Sequence, residues 1–152
     1  MCKKLIVIAE KEELKLVDKL NLKGIPVLIT GVGAMNVIGA LRNISRDTEI
    51  INVGYAGSKN IKPNDFYEVR NVTLYHPNVD YVEPVYHCNE IFGDFASRDC
   101  YTGSDFVLKT DKEDCLFDME LGYIVSLGFE KVSSVKYVSD NLDLVEYRKK
   151  LS

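Results

Sequence analysis

Three short apolar runs, each ending in small residues and separated by stretches of helical periodicity, constrain this chain more than any other feature. Leu5 to Ala9 is a continuous apolar run with β-branched content, the pattern of a strand buried on both faces. Glu12 to Leu20 carries Leu14, Leu16, Val17 and Leu20 at helical spacing. Pro26 to Thr30 reads as a second buried strand ending at Gly31-Val32-Gly33, and Ala34 to Ile44 as a helix. Glu49 to Val53 reads as a third strand, ending at Gly54-Tyr55-Ala56-Gly57. The order β-α-β-α-β demands parallel strands with crossover helices.

After a turn at Lys62-Pro63-Asn64-Asp65 the pattern loosens. Phe66 to Tyr75 reads as a strand or strand pair, and 79–95 as irregular, rich in Tyr, Pro and Asn. Arg98 to Thr102 is a strand candidate, Cys115 to Asp118 leads into a helix over 119–127, and Lys131 to Val138 forms a last strand before Ser139-Asp140. Four strand ends, at Gly31 to Gly33, Gly54 to Gly57, Gly103-Ser104 and Ser139-Asp140, thus fall on small or acidic residues. In open α/β sheets, ligands sit beyond the carboxyl ends of strands. We expect one domain over 1–152, a three-layer α/β/α sandwich around a mixed, largely parallel sheet.

Composition narrows the function. The 152 residues are 46% hydrophobic and 28% charged, with net charge -4 and a sequence pI near 5.2. A nucleic-acid partner is not expected, because such binders carry a basic patch and a high pI. The run Arg148-Lys149-Lys150 reads as charge at a helix end. No apolar stretch approaches the roughly 20 residues of a membrane helix, and no leader pattern opens the chain, so a cytoplasmic protein is expected. Cys2, Cys88, Cys100 and Cys115 form no CxxC pair, and His76 and His87 lack zinc spacing. Neither a metal nor another cofactor is expected.

Each motif has a plain alternative. Gly31-Val32-Gly33 is a tight turn or a ligand loop, and Gly54 to Gly57 likewise. Asp118-Met119-Glu120 is helix-start charge or a site; Asp140 is a turn residue or a site; Glu12 and Glu13 form a solvated helix face or a site.

Taken in order, these motifs resemble the nucleoside phosphorylase/nucleosidase superfamily, most closely its 5'-methylthioadenosine/S-adenosylhomocysteine nucleosidases, in a shortened form. Ala9 to Leu14 resembles an early acidic segment, and Thr30-Gly31-Val32-Gly33 a glycine turn. Asn52-Val53-Gly54-Tyr55-Ala56-Gly57 resembles the signature N-x-G-x-A-G. Lys62 to Asp65 with Tyr75-His76, Thr102 to Phe106, Met119-Glu120 and Ser139-Asp140 resemble the later motifs.

The resemblance implies roles. Asp140 would protonate the leaving purine, and Glu13 would activate water, with Glu12 as the alternative if the alignment slips by one. Glu120 would hold the ribose hydroxyls and Met119 would pack under the sugar. Phe106 would stack on the base, the Val107 backbone would read its edge, and Ala56, Gly57 and Ser139 would line the pocket. A homodimer is implied, with the pocket completed near Tyr75 to Pro84 of a neighbour. The ligand would be a small nucleoside. Tyr55 replaces a small signature residue, and Lys136 stands where the family usually has Arg.

The implied reaction is hydrolysis of a purine N-glycosidic bond. A phosphorylase would need a dianion site, and none of Arg42, Arg46, Arg70, Arg98 or Arg148 lies in a phosphate motif. A non-catalytic nucleoside-binding protein is a second alternative, though it would have little use for both an acid and a base. A dinucleotide binder would need GxGxxG, which position 36, an Asn, breaks.

Overall fold

A computed structural model describes the backbone of residues 3–76 and 81–152, with side chains described except at 81–85. Strand β1 (Lys4–Ile8) leads through a 3-10 turn (Lys11–Glu13) into α1 (Leu14–Lys19). Then come β2 (Val27–Ile29), α2 (Ala34–Leu41), β3 (Glu49–Gly57), β4 (Phe66–His76) and β5 (Tyr81–His87). The chain ends with β6 (Ser97–Thr102), β7 (Leu116–Asp118), α3 (Leu121–Ser126), β8 (Val132–Asp140) and α4 (Leu144–Leu151).

The strands form one mixed sheet in the order β2-β1-β3-β7-β6-β4-β5, with β8 pairing both β3 and β4. Pairings β1–β2, β1–β3, β3–β8, β4–β6 and β6–β7 are parallel. Pairings β3–β7, β4–β5 and β4–β8 are antiparallel. The circuit β3-β8-β4-β6-β7 closes on itself through a single rung, Gly57 opposite Phe117. The sheet therefore curls shut at the end where the site lies.

Helices cover both faces. Alternation in the strands divides the core: Val7, Ile50 and Val138 point toward Val37 and Leu41 of α2 and Leu121 and Ile124 of α3. Ile6, Ile8, Ile51, Val53 and Val135 point the other way, toward Leu16 and Val17 of α1 and Tyr147 of α4. Coverage on both sides is why β1 reads as an unbroken apolar run and β3 is broken only by the buried Asn52 between Ile50 and Ala56.

Four expectations need correction. β2 is an edge strand, not a strand buried on both faces: Val27 and Ile29 are 37% and 46% exposed, and β2 pairs with β1 alone. An apolar run does not distinguish an edge from a centre. β3 does not end at Val53; Gly54 to Gly57 continue as strand, paired with β8 through a bulge at Ala56/Gly57. β8 likewise runs through Ser139 and Asp140. The segment read as irregular contains β5, which among the described residues pairs with β4 alone.

Candidate functional site

The carboxyl ends of β3, β7 and β8, the loop after β6 and helix α4 enclose a cleft with about 500 Å³ of open space. Among the residues proposed from sequence, Glu13, Ala56, Gly57, Phe106, Val107, Met119, Glu120 and Asp140 all line it. Ser139 does not; it sits behind the wall and donates its hydroxyl to Asp140 Oδ1 at 2.6 Å. Glu13 is buried whereas Glu12 is exposed, so of the two adjacent acids only Glu13 faces the cleft.

Two glycines explain how the acids fit. A Cβ on Gly54 would lie 2.6 Å from Glu13 Oε2 and 3.4 Å from Lys136 Nζ. A Cβ on Gly57 would lie 2.9 Å from Asp140 Oδ2. The small residues at the end of β3 are not a turn; they leave on a strand surface the space two carboxylates occupy.

Glu13 is held by backbone donors. Its Oε1 accepts from Ala9 N–H at 2.8 Å and Glu10 N–H at 3.1 Å, and its Oε2 from Tyr55 N–H at 2.8 Å. Burial pushes its pKa above the usual value, against the opposing pull of Lys136 and these three N–H groups. Asp140 is also raised by burial, opposed by Ser139 and the N–H groups of Asp143 and Leu142.

Beneath the cleft lies an ion pair. Lys136, 1% exposed, places Nζ 2.9 Å from Asp118 Oδ2. Asp118 also accepts from the Thr102 hydroxyl and from Leu121 N–H, the latter at 2.8 Å. Burial would raise Asp118, but Lys136 and these donors outweigh it and hold the carboxyl below its usual range. Burial would lower Lys136, yet Asp118 and the neighbouring acids raise it. Glu120 accepts from Gly33 N–H at 3.0 Å. Its pKa is pushed up to about 8, by burial first and then by the charge of Asp118, with Lys136 and Gly33 opposing. One ammonium therefore serves three carboxylates, Asp118, Glu120 and Glu13, and Glu120 is left with a pKa of about 8.

Aromatic rings close the sides. Phe106 and Tyr147 lie 5.5 Å apart between centroids, and Tyr147 stands 6.5 Å from Tyr55. The Tyr147 hydroxyl donates to Glu10 Oε2 at 3.1 Å. Sequence reasoning met Asp118 only as part of the Asp118-Met119-Glu120 motif, and Lys136 and Tyr55 only as departures from the family pattern, and it gave Tyr147 no site role. The buried pair had a visible signal: Lys136 is the one charged residue between Val132 and Ser139. Tyr147 had none, because α4 reads as a charged surface helix.

Tyr75, at the start of the stretch expected to complete a neighbour's pocket, is buried against Tyr101 and Phe117. Residues 77–80 and the side chains of 81–85 lie outside the described residues. Among the described residues, no helix is long and apolar enough to cross a membrane, and no group of three His, Cys, Asp or Glu is arranged to hold a metal.

No family model matches the chain, and no curated protein matches its sequence. Solved structures do match. The MTAN protein of Chlamydia trachomatis superposes with a TM-score of 0.78 at 20% identity, over 99% of this chain and 91% of that one. The Helicobacter pylori 5'-methylthioadenosine/S-adenosyl homocysteine nucleosidase superposes at 0.73 and 14% identity, over 99% and 91%. The S-adenosylhomocysteine nucleosidase of Streptococcus pyogenes, in complex with 5-methylthiotubericidin, superposes at 0.74 and 18% identity, over 99% and 89%. The fold of this chain is the α/β fold of these nucleosidases.

Proposed function

We propose that this chain hydrolyses the N-glycosidic bond of a purine nucleoside of the methylthioadenosine or S-adenosylhomocysteine type, releasing the base. The observation that carries this reading is one cleft walled by aromatic and aliphatic groups with three carboxylates of raised pKa, Glu13, Glu120 and Asp140, and no arginine in its lining. The nucleosidase fold supports it, one such neighbour from Chlamydia trachomatis having been solved bound to MTA.

The chemistry follows from protonation. Asp140, whose hold on a proton burial strengthens, donates that proton to the purine as the bond from the anomeric carbon to nitrogen breaks and its electron pair leaves with the base. Glu13, its carboxylate fixed by three backbone N–H groups, takes a proton from water as the water oxygen bonds to the anomeric carbon. One Glu120 oxygen accepts from Gly33, leaving the other for a ribose hydroxyl. Met119 packs under the sugar. Phe106 stacks on the base and the Val107 backbone meets its edge, with Ala56 and Gly57 alongside. Ser139 acts through Asp140 by hydrogen bonding.

Water is favoured over phosphate as nucleophile on electrostatic grounds. Glu13, Asp105, Asp118, Glu120 and Asp140 line the cleft, and the one ammonium beneath it, Lys136, is committed to Asp118. A phosphate dianion entering there meets no free counter-charge. The protein acts in the cytoplasm, as a homodimer in which a neighbour covers the mouth of the pocket, without metal or cofactor.

The test is base release from methylthioadenosine, S-adenosylhomocysteine, adenosine and inosine, with and without phosphate. Release independent of phosphate is expected, and Asp140→Asn should abolish it while nucleoside still binds. Release only with phosphate, or near-normal turnover by Asp140→Asn, overturns the assignment.

A further inference from the structure

On the far side of Tyr55 from the catalytic cleft, the surface reverses its charge. A second cleft with about 440 Å³ of open space is lined by Lys15, Leu16, Lys19, Tyr55, Tyr137 and Lys150. Three ammonium groups and no carboxylate form its lining, on a chain whose net charge is -4. We propose that this cleft binds an anion bearing a phosphate group, separately from the nucleoside.

The charges can be counted. Lys15 Nζ donates to Lys150 O at 2.7 Å, which uses one of its three protons. Lys150 Nζ donates to Asn64 Oδ1. Lys19 Nζ sits 5.7 Å from the centre of the Tyr137 ring. Among the described residues, none of the three has a carboxylate within ion-pair distance. The competing explanation is that they merely neutralise helix ends, since Lys19 lies in the last turn of α1 and Lys150 in that of α4. Each helix C-terminus supplies only about half a negative charge, less in helices this short. Two such ends offset about one of the three ammonium charges. The remainder is about two positive charges, the complement of a phosphate monoester dianion.

The floor supports a bound ligand rather than passing counterions. Leu16 and Tyr55 are both buried, which gives the ammonium groups an apolar backing where a Coulomb attraction is screened less than in open water. Lys15 and Lys19 lie one turn apart on the same face of α1, so their two charges converge. Tyr55 lines both clefts. The acidic catalytic cleft repels a phosphate, while the lysine cleft behind it attracts one.

The experiment is calorimetric titration of the full chain with inorganic phosphate, then with adenosine monophosphate, to tell the free ion from a phosphate carried on a nucleoside. Saturable phosphate binding is expected at millimolar concentration or tighter. The pair Lys15→Gln with Lys19→Gln should weaken it at least about tenfold. Both side chains are exposed, so thermal unfolding checks that the fold is kept. A charge-matched control, Lys23→Gln with Lys131→Gln, removes two exposed lysines elsewhere and should bind as the unaltered chain does. Absence of saturable binding overturns the proposal. So does equal loss in the control, which would mean diffuse attraction, or displacement of phosphate by methylthioadenosine, which would put it in the catalytic cleft.

Discussion

Removing the acidity of Glu120 while keeping its shape should change how stability depends on pH. In the folded chain its pKa rises from 4.5 to about 8, by burial and by the charge of Asp118. In the unfolded chain it is an ordinary carboxyl. Between these values the folded state holds a proton that the unfolded state has released, so stability must fall as pH rises. The contribution is fully present below pH 4.5 and lost by about pH 8. Each pH unit across that window is worth about 1.4 kcal/mol, so the ceiling is about 4 to 5 kcal/mol. Halved for relaxation of the cleft and entry of water, about 2 kcal/mol remains.

Glu120→Gln retains an oxygen to accept from Gly33 N–H and loses only the titration. Urea unfolding of both proteins at intervals from pH 4.5 to 8.5 gives the two slopes. Glu13 and Asp140 are raised as well and add slope of the same sign in both proteins, so the difference belongs to Glu120. The variant should gain about 2 kcal/mol on the unaltered chain between the ends of the range. Parallel curves would refute the reasoning, because Glu120 would then be ionised throughout and one ammonium would be serving three carboxylates without a proton being taken up.

Gly57→Ala places a Cβ 2.9 Å from Asp140 Oδ2, so base release should fall about a hundredfold or more while the fold survives a cost of about 1–3 kcal/mol; normal turnover would mean the carboxylate is not held there. Lys136→Met strips the counter-charge from a fully buried Asp118 and should cost about 3–5 kcal/mol in urea unfolding; a loss under about 1 kcal/mol would show that Thr102 and Leu121 suffice to hold the charge. Turnover should decline as pH rises through the raised pKa of Asp140, where the proton for the base is lost. A rate that climbs steadily across that range would remove Asp140 as the acid.

The acids and small residues of the cleft were legible in the sequence because they belong to motifs in a fixed order. Their surroundings were not. Gly54 and Gly57 look like turn residues in a linear reading, since only the pairing with β8 shows that the strand continues and that Glu13 and Asp140 occupy the missing side-chain space. β2 and β3 are both short apolar runs, and what makes one an edge and the other a centre is the neighbour each finds. Tyr147 comes to the cleft because α4 folds back over it, at a distance in sequence no local pattern records.

The charge of the cleft is set by what stands at 136. An ammonium is a compact charge, and at 2.9 Å it is spent on Asp118, which leaves Glu120 to keep a proton. A guanidinium spreads its charge over a planar fork of five donors and can meet two carboxylates at once. Lys136→Arg should therefore lower the pKa of Glu120 and flatten the pH dependence of stability toward that of Glu120→Gln. The added volume in a filled core costs about 1–3 kcal/mol at every pH, which moves the curve without tilting it. The slope thus separates tuning from packing. If Lys136→Arg keeps the full slope, the proton on Glu120 owes nothing to the choice of cation, and burial and the charge of Asp118 are enough to raise it.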